Sequence, residues 1–167
     1  MIKKSANTTG SYVRIENLYF GIHPAIVDPK IDIDIYIILT EDFGIDNTNE
    51  NKTEQNRTEY LHFPILDTKA PNIKQLGKIV DIIINLEKDK RVYIACKGGH
   101  GRSGTVAGAV LGKKYNLSYN SVIDILNREW RTQRNMDLIG AKFRKLGVPQ
   151  TKVQKNTLKT YIKCLKS

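Results

Sequence analysis

One short segment of the sequence holds the side chains best suited to breaking a chemical bond. It reads Cys-Lys-Gly-Gly-His-Gly-Arg-Ser and runs from Cys96 to Ser103. Its glycines let the backbone curl its N–H groups around a tetrahedral anion, and the guanidinium of Arg102 can hold two oxygens of a phosphate at once. A thiol beside such positive charge ionises readily, so we expect Cys96 to be a thiolate nucleophile. The phosphate-binding residues predicted from this pattern are Lys97, Gly98, Gly99, His100, Gly101 and Arg102.

The flanking residues predict a strand before this segment and a helix after it. Residues 92–95 form an apolar run typical of a buried strand, and a helical pattern begins near Arg102 and continues to about residue 115. The free N–H groups at the start of that helix, together with the positive end of its dipole, favour a bound anion. A Walker-type nucleotide loop fits less well, because its Gly-Lys-[Ser/Thr] ending is absent. We therefore interpret residues 96–103 as a phosphate-binding loop that begins with a nucleophile.

Hydrophobic periodicity predicts that strands and helices alternate along the chain. Strands are expected at residues 12–15, 18–20, 31–39, 60–63 and 92–95, and helices at 71–86, 102–115, 118–130, 137–146 and 150–165. This order favours a single α/β domain, residues 1–167, with a central mostly parallel sheet of four to five strands and helices on both sides. The polar stretch 41–59 is predicted to be an exposed, mobile loop. Ligands of such sheets bind beyond the carboxyl ends of the strands, where Cys96 would lie.

The charge and the cysteine content limit the setting in which the protein works. The chain of 167 residues has a net charge of +10, which invites polyanionic partners, but no stretch combines clustered basic residues with aromatic ones. Nucleic acid and anionic lipid are therefore possible partners that the sequence does not favour. Two cysteines, Cys96 and Cys164, form no disulfide framework, and we find neither a membrane-spanning segment nor a signal sequence. These features favour a reducing, cytoplasmic location.

The Cys96 segment resembles the Cys-x5-Arg-[Ser/Thr] signature of the protein-tyrosine and dual-specificity phosphatases. Its Gly-Gly-His-Gly-Arg-Ser-Gly sequence is similar to that of compact microbial and viral members, and residues 15–21, 60–67 and 149–154 also resemble family elements. The resemblance implies a dual-specificity phosphatase-like fold and a phosphorylated protein substrate, with no metal or cofactor. Most relatives have histidine just before the cysteine, where this sequence has Ala95.

The leaving group of a phosphate ester needs an acid, and Asp67 is the best candidate for this role. It lies 29 positions before Cys96, in a predicted loop after a strand, and relatives have their general acid in this setting. Asp42 and Asp46 compete weakly. The resemblance implies that Cys96 attacks phosphorus, that Arg102 and the loop amides hold its oxygens, and that Asp67 first protonates the leaving oxygen and then activates the water that hydrolyses the phosphocysteine.

Three further residues are candidates for supporting roles in this reaction. The hydroxyl of Ser103 is placed to stabilise the cysteine sulfur as it leaves, and it could also cap the helix. Gln150 and Gln154 resemble glutamines that position the attacking water in relatives, although glutamines on a helix surface are common. His23, His62 and His100 have no metal-ligand spacing, and Arg102 with the loop amides supplies the charge that a metal provides elsewhere.

The leading hypothesis is a protein phosphatase of the dual-specificity type, which hydrolyses phosphotyrosine and also phosphoserine and phosphothreonine. The chain has no counterpart of the N-terminal loop that deepens the pocket of strictly tyrosine-specific relatives. A phosphoinositide phosphatase is the first alternative, because Lys97 and a basic surface suit a polyanionic lipid. An RNA 5′-triphosphatase is the second, although Asn before the arginine is absent. A phosphate-binding pseudophosphatase is the third, motivated by Ala95.

Overall fold

The computed structural model describes residues 9–45 and 57–167. Five strands lie at Tyr12–Ile15 (β1), Leu18–Ile22 (β2), Ile35–Ile38 (β3), Glu59–His62 (β4) and Val92–Cys96 (β5). Five α-helices lie at Ile73–Leu86 (α1), Arg102–Lys114 (α2), Tyr119–Gln133 (α3), Ala141–Leu146 (α4) and Lys152–Leu165 (α5), with a 3₁₀ turn at Met136–Leu138. Most of the predicted loop 41–59 falls outside the described residues, and its last residue, Glu59, already belongs to β4.

The strands form one sheet in the order β1-β2-β5-β3-β4. All neighbouring pairs are parallel except β1 with β2, which confirms the predicted mostly parallel sheet. The central strand β5 is buried along its whole length, as a strand with neighbours on both edges and both faces must be. It ends at Cys96, so the thiol of this residue lies at the carboxyl edge of the sheet.

The two faces of the sheet are covered differently. Aliphatic side chains of one face pack against α1, α2, α3 and α5 in the main hydrophobic core. The opposite face carries one tyrosine from each strand, and contacting rings lie with their centroids 5.1 to 6.1 Å apart. These residues are Tyr12, Tyr19, Tyr36, Tyr60 and Tyr93. In the part of the chain that the structure describes, loop residues and no helix cover this face, so the expectation of helices on both sides was wrong. The reason is that residues 23–34, between β2 and β3, form no helix.

Helix α2 lies at the centre of the helical layer because a stripe of glycines lets a neighbour approach closely. Gly104, Gly108 and Gly112 recur every four residues and share one helix face. A Cβ atom at Gly108 would lie 2.8 Å from Leu158 Cδ2, closer than side-chain carbons tolerate. The stripe therefore sets how closely α5 packs on α2, and both helices begin at the same end of the molecule as Cys96.

Helix boundaries differ from the predictions where capping residues decide them. Helix α1 begins after Asn72, which forms a capping box with Gln75, so Pro71 precedes the helix and is not in its first turn. The predicted helix 137–146 is divided into the 3₁₀ turn and α4, with Gly140 at the break. Ser118 caps α3, so this helix begins at Tyr119, one residue after the predicted start. No helix among the described residues is both long and apolar enough to cross a bilayer.

Candidate functional site

The loop between β5 and α2, residues 97–101, is held tightly against the sheet. Gly99 has a φ of +74°, and a Cβ atom there would lie 2.5 Å from the backbone N of Ile22, so only glycine fits. Cys96, at the start of the loop, is 2 % exposed, and its Sγ lies 3.3 Å from Ser103 Oγ. Gly101 occupies the N-cap of α2. Ser103 is therefore in the first turn and not at the cap, which leaves its hydroxyl available to the sulfur.

A pocket of about 380 Å³ opens beside this loop. Arg102 and Lys97 line it from the loop, and Glu41 and Asp67 line it from the ends of two neighbouring strands. The remaining lining residues are His23, Ala25, Ile26, Thr40, Asp42 and Gly44. Because two cationic and three acidic side chains share one small pocket, its charge balance changes strongly when a dianion enters.

The guanidinium of Arg102 joins three segments of the chain. It is 2 % exposed, and its Nη1 donates to Glu41 Oε2 at 2.8 Å and to the carbonyl of Ile65 at 2.7 Å. Its Nη2 lies 3.3 Å from Asp67 Oδ1. The structure thus brings together Asp67 and Arg102, which the sequence analysis assigned to one site. Asp42 and Asp46 were the weaker candidates for the role predicted for Asp67. Asp46 lies outside the described residues, and Asp42 lines the pocket without a bond to Arg102.

Glu41 is a site residue that the sequence analysis missed. Its Oε1 accepts a hydrogen bond from the backbone N of Asp67 at 2.6 Å. The Glu41 carboxylate therefore bridges the loop that carries Asp67 and the guanidinium of Arg102. Bonds from its own backbone N–H, from Arg102 and from the Asp67 N–H lower the pKa of Glu41 to about 2. The carboxylate is therefore charged at any ordinary pH. Its place soon after the buried strand β3, at the carboxyl edge of the sheet, is the signal that could have identified it.

The loop that carries Asp67 is anchored by the first turn of α5. Thr151 Oγ1 donates to the carbonyl of Thr68 at 3.0 Å, and Gln154 Nε2 donates to the carbonyl of Lys69 at 3.1 Å. Gln154 Oε1 also accepts from the Thr151 N–H in a capping box. These bonds fix the backbone on the C-terminal side of Asp67, whose own side chain is 63 % exposed. The loop that carries Asp67 is thus held on both sides, by Glu41 and by α5.

Both predicted glutamines border the phosphate-binding loop. A Cβ atom at Gly101 would lie 3.2 Å from Gln150 Oε1 and 3.2 Å from Gln154 Nε2. Gln154 is 1 % exposed, and its amide is engaged by Thr151 and Lys69, whereas Gln150 is half-buried. A water-positioning role for these two residues stays a prediction, and Gln150 has the freer amide for it.

The side chain of His100 points away from the pocket. Its Nδ1 lies 2.8 Å from the carbonyl of Gly98, and its ring packs on Trp130 and Phe143 with centroids 5.4 and 6.1 Å away. Burial lowers the pKa of His100 and favours the neutral imidazole. A contact between this residue and a bound phosphate would therefore come from its backbone N–H.

A second buried arginine supports the loop from behind. Arg134 donates through Nε to the carbonyl of Gly10 at 2.8 Å and through Nη1 to that of Gly99 at 3.3 Å. Burial lowers the pKa of Arg134, and the nearby side chains of Tyr93 and Cys96 oppose that shift. It supplies a cation near the thiol although Ala95 replaces the histidine of most relatives. No sequence pattern distinguishes this arginine from the others at helix ends. Within residues 9–45 and 57–167, no cluster of three or more His, Cys, Asp or Glu side chains is arranged to hold a metal ion.

Comparisons of sequence point to one group of proteins. Residues 32–114, about half of the chain, match the family described as a polymorphic toxin system DSP-PTPase phosphatase. The protein 197R of Invertebrate iridescent virus 6, which is named as a tyrosine phosphatase, is 42 % identical over 72 residues. That alignment covers 38 % of this chain and 27 % of the viral protein, so the chain spans about a quarter of that relative's length.

Comparisons of structure extend the similarity over nearly the whole chain. The crystal structure of Tk-PTP in its active form is 29 % identical, has a TM-score of 0.67, and is matched over 92 % of this chain and 97 % of that one. Human DUSP28 has a TM-score of 0.68 at 14 % identity over 98 % of this chain and 100 % of its own. PTPMT1 in complex with PI(5)P has a TM-score of 0.65 at 19 % identity over 93 % and 96 % of the two chains. The last two similarities concern the fold alone.

Proposed function

The chain belongs to the superfamily of protein-tyrosine and dual-specificity phosphatases, and we propose that it dephosphorylates phosphorylated proteins through a phosphocysteine intermediate. One observation carries this proposal most directly. The buried guanidinium of Arg102 and the exposed carboxylate of Asp67 lie 3.3 Å apart on the wall of a pocket, at the mouth of the loop that begins with Cys96. A cation suited to a phosphate and a carboxyl group suited to proton donation thus lie side by side near a thiol, which supports the proposal.

In the first step, the Cys96 thiolate forms an S–P bond while the P–O bond to the leaving group breaks. Asp67, protonated before the step, gives its proton to the departing oxygen, and Arg102 with the loop N–H groups holds the phosphoryl oxygens. The substrate replaces Asp67 as the partner of Arg102 Nη2. Because Asp67 lies 3.3 Å from that nitrogen and is 63 % exposed, this exchange requires little rearrangement.

In the second step, water attacks phosphorus and the S–P bond breaks, releasing inorganic phosphate and the thiolate. Asp67, now ionised, accepts a proton from the water. Ser103 supports the departing sulfur, because its Oγ lies 3.3 Å from Cys96 Sγ and can donate a hydrogen bond to the thiolate. Gln150 is the proposed residue that orients the water.

We propose that phosphotyrosine, phosphoserine and phosphothreonine are all accepted. The acidic residues at the pocket mouth are well exposed, 63 % for the side chain of Asp67 and 42 % for that of Glu41, which suits phosphates on short side chains. A phosphoinositide is the second candidate substrate, because the exposed Lys97 lines the pocket and could bind a further phosphate of a polyanionic headgroup. Rates on phosphopeptides, inositol phospholipids and triphosphate-ended RNA, measured with one preparation, rank these alternatives.

The change Asp67→Asn tests the assignment of the general acid. We expect kcat for phenyl phosphate to fall by about 10²- to 10⁴-fold, because the leaving phenoxide no longer receives a proton. The loss should shrink for dinitrophenyl phosphate, whose leaving group is stable as an anion. Steady-state rates on the two esters measure this difference. An equal loss on both esters, or a larger loss in Asp42→Asn, would remove Asp67 from this role.

The change Glu41→Gln tests whether the bridging carboxylate positions Arg102 and the acid loop. The introduced amide would keep an acceptor for the Asp67 N–H but lose the charge that holds Arg102. We expect kcat for aryl phosphates to fall by about 3- to 10-fold, while inhibition by inorganic phosphate becomes stronger because a competing anion is gone. Glu59→Gln is the matched control, since Glu59 is an exposed carboxylate paired with Lys90 at 3.7 Å, outside the pocket. Unchanged kcat with unchanged phosphate inhibition would mean that the bridge has no role in turnover.

A further inference from the structure

Most of the net charge of the protein comes from its C-terminal end. Residues 138–167 contain eight lysine and arginine residues and no aspartate or glutamate, so they supply eight of the ten net positive charges. Within this stretch, residues 138–146 comprise the end of the 3₁₀ turn and α4, and we call them the α4 segment. A surface charge of one sign concentrated in one region attracts an anionic partner.

The α4 segment also exposes apolar side chains. Leu138 is 77 % exposed, Phe143 40 % and Leu146 37 %. The exposed cations Lys142, Arg144 and Lys145 lie between the last two of these residues and beside them in sequence. In the described part of the chain, no carboxylate lies within ion-pair distance of these three cations. Apolar and unpaired basic side chains thus share one short, exposed segment.

This segment lies at the rim of the phosphate-binding loop. The Phe143 ring contacts the ring of His100, a residue of that loop, with centroids 6.1 Å apart. Lys155 Nζ donates to the carbonyl of Leu146 at 2.6 Å and ties the end of α4 to the first turns of α5. Those same turns anchor the loop of Asp67. A partner seated on the α4 segment would therefore lie next to the pocket.

We propose that the α4 segment docks the protein on an anionic membrane surface, with the phosphate-binding loop facing the bilayer. The cations would lie among anionic headgroups, and Leu138 and Phe143 would enter the boundary between headgroups and acyl chains. A nucleic acid would pair with the cations but leave these apolar side chains in water. This binding goes beyond the proposed function and does not require hydrolysis.

Sedimentation with lipid vesicles tests the charge component. We expect the wild-type chain to bind phosphatidylcholine vesicles that contain phosphatidylserine, and not vesicles of phosphatidylcholine alone. The triple variant Lys142→Glu, Arg144→Glu, Lys145→Glu should bind at least about tenfold more weakly, given the contribution of each basic residue near such a surface. Lys159→Glu, Lys163→Glu, Lys166→Glu is the matched control, because it changes the net charge equally at the far end of α5; it should stay within about threefold of wild type.

The change Leu138→Asn tests the apolar component without endangering the fold, because this side chain is 77 % exposed. Vesicle binding should weaken about 3- to 10-fold, and the remaining binding should become more sensitive to salt. Absence of wild-type binding, or equal losses in the two triple variants, would overturn the proposal. So would stronger capture by RNA that is unaffected by Leu138→Asn. Aryl phosphate turnover, measured on the same samples, separates a failure of docking from a failure of the proposed catalysis.

Discussion

Replacing Cys96 with serine is expected to abolish the hydrolysis of aryl phosphates, with a fall in kcat on the order of 10⁴-fold or more. A serine hydroxyl in this site has no adjacent general base to ionise it, and it is a much weaker nucleophile than a cysteine thiolate. Arg102 and the glycine loop remain intact in the variant. Inorganic phosphate should therefore still bind, and calorimetry would show nearly unchanged affinity alongside lost turnover.

Cys164→Ser is the matched control for this change. Cys164 is exposed in the last turn of α5, away from the pocket, so its loss should leave turnover unchanged. Peroxide should inactivate the wild type and the control alike, and bound phosphate should protect both, because oxidation requires access to the thiolate. Retained activity in Cys96→Ser would refute the covalent mechanism. A wild-type chain that binds phosphopeptides tightly without turning them over would instead identify a pseudophosphatase.

Arg102→Lys is expected to lower kcat/KM for aryl phosphates by about 10²- to 10³-fold, although the charge is conserved. A lysine ammonium cannot hold two phosphoryl oxygens as the guanidinium does. Its single nitrogen would have to serve Glu41, the carbonyl of Ile65 and the phosphate together, whereas Arg102 binds the first two through Nη1 alone, at 2.8 and 2.7 Å, and keeps its other nitrogens for the phosphate. The phosphate site and the acid loop should therefore both lose their alignment.

The kinetics should show the two consequences separately. Weaker inhibition by inorganic phosphate would indicate weaker binding of the dianion. A lower kcat would indicate that Asp67 is displaced. Arg131→Lys makes the same substitution at an exposed position of α3 and should leave both constants unchanged. A loss of only a few-fold in Arg102→Lys would mean that charge alone, and not the shape of the guanidinium, serves the reaction.

The sequence was sufficient for features that depend on neighbouring residues. The loop from Cys96 to Ser103 is one continuous stretch, so its glycines, its cation and the start of α2 could be inferred together. The sheet followed from apolar runs of strand length. Asp67 could be predicted as a site residue because it follows a strand. The carboxyl end of that strand had to lie at the same edge of the sheet as the loop that begins with Cys96.

Features that depend on contacts between residues far apart in the sequence could not be predicted in this way. Glu41 reaches Arg102 across 61 positions of sequence, and Arg134 reaches Gly99 across 35, so no local pattern marks either. The alternation of side chains along a strand defines two faces of the sheet but does not determine which elements cover each face. Helices were therefore predicted on the tyrosine face, whereas loop residues cover it in residues 9–45 and 57–167. Gln154 was a candidate for positioning water, and no local pattern showed that its amide binds the loop that carries Asp67.

The stripe of glycines on α2 also affects the spacing of the candidate site. Helix α2 begins at Arg102, and α5 begins where Thr151 and Gln154 hold the loop of Asp67. The close packing of the two helices at Gly108 therefore constrains the distance between Arg102 and the loop of Asp67. A larger residue there would increase this distance. Evolution could thus tune reactivity through helix spacing, with every residue that touches the substrate left as it is.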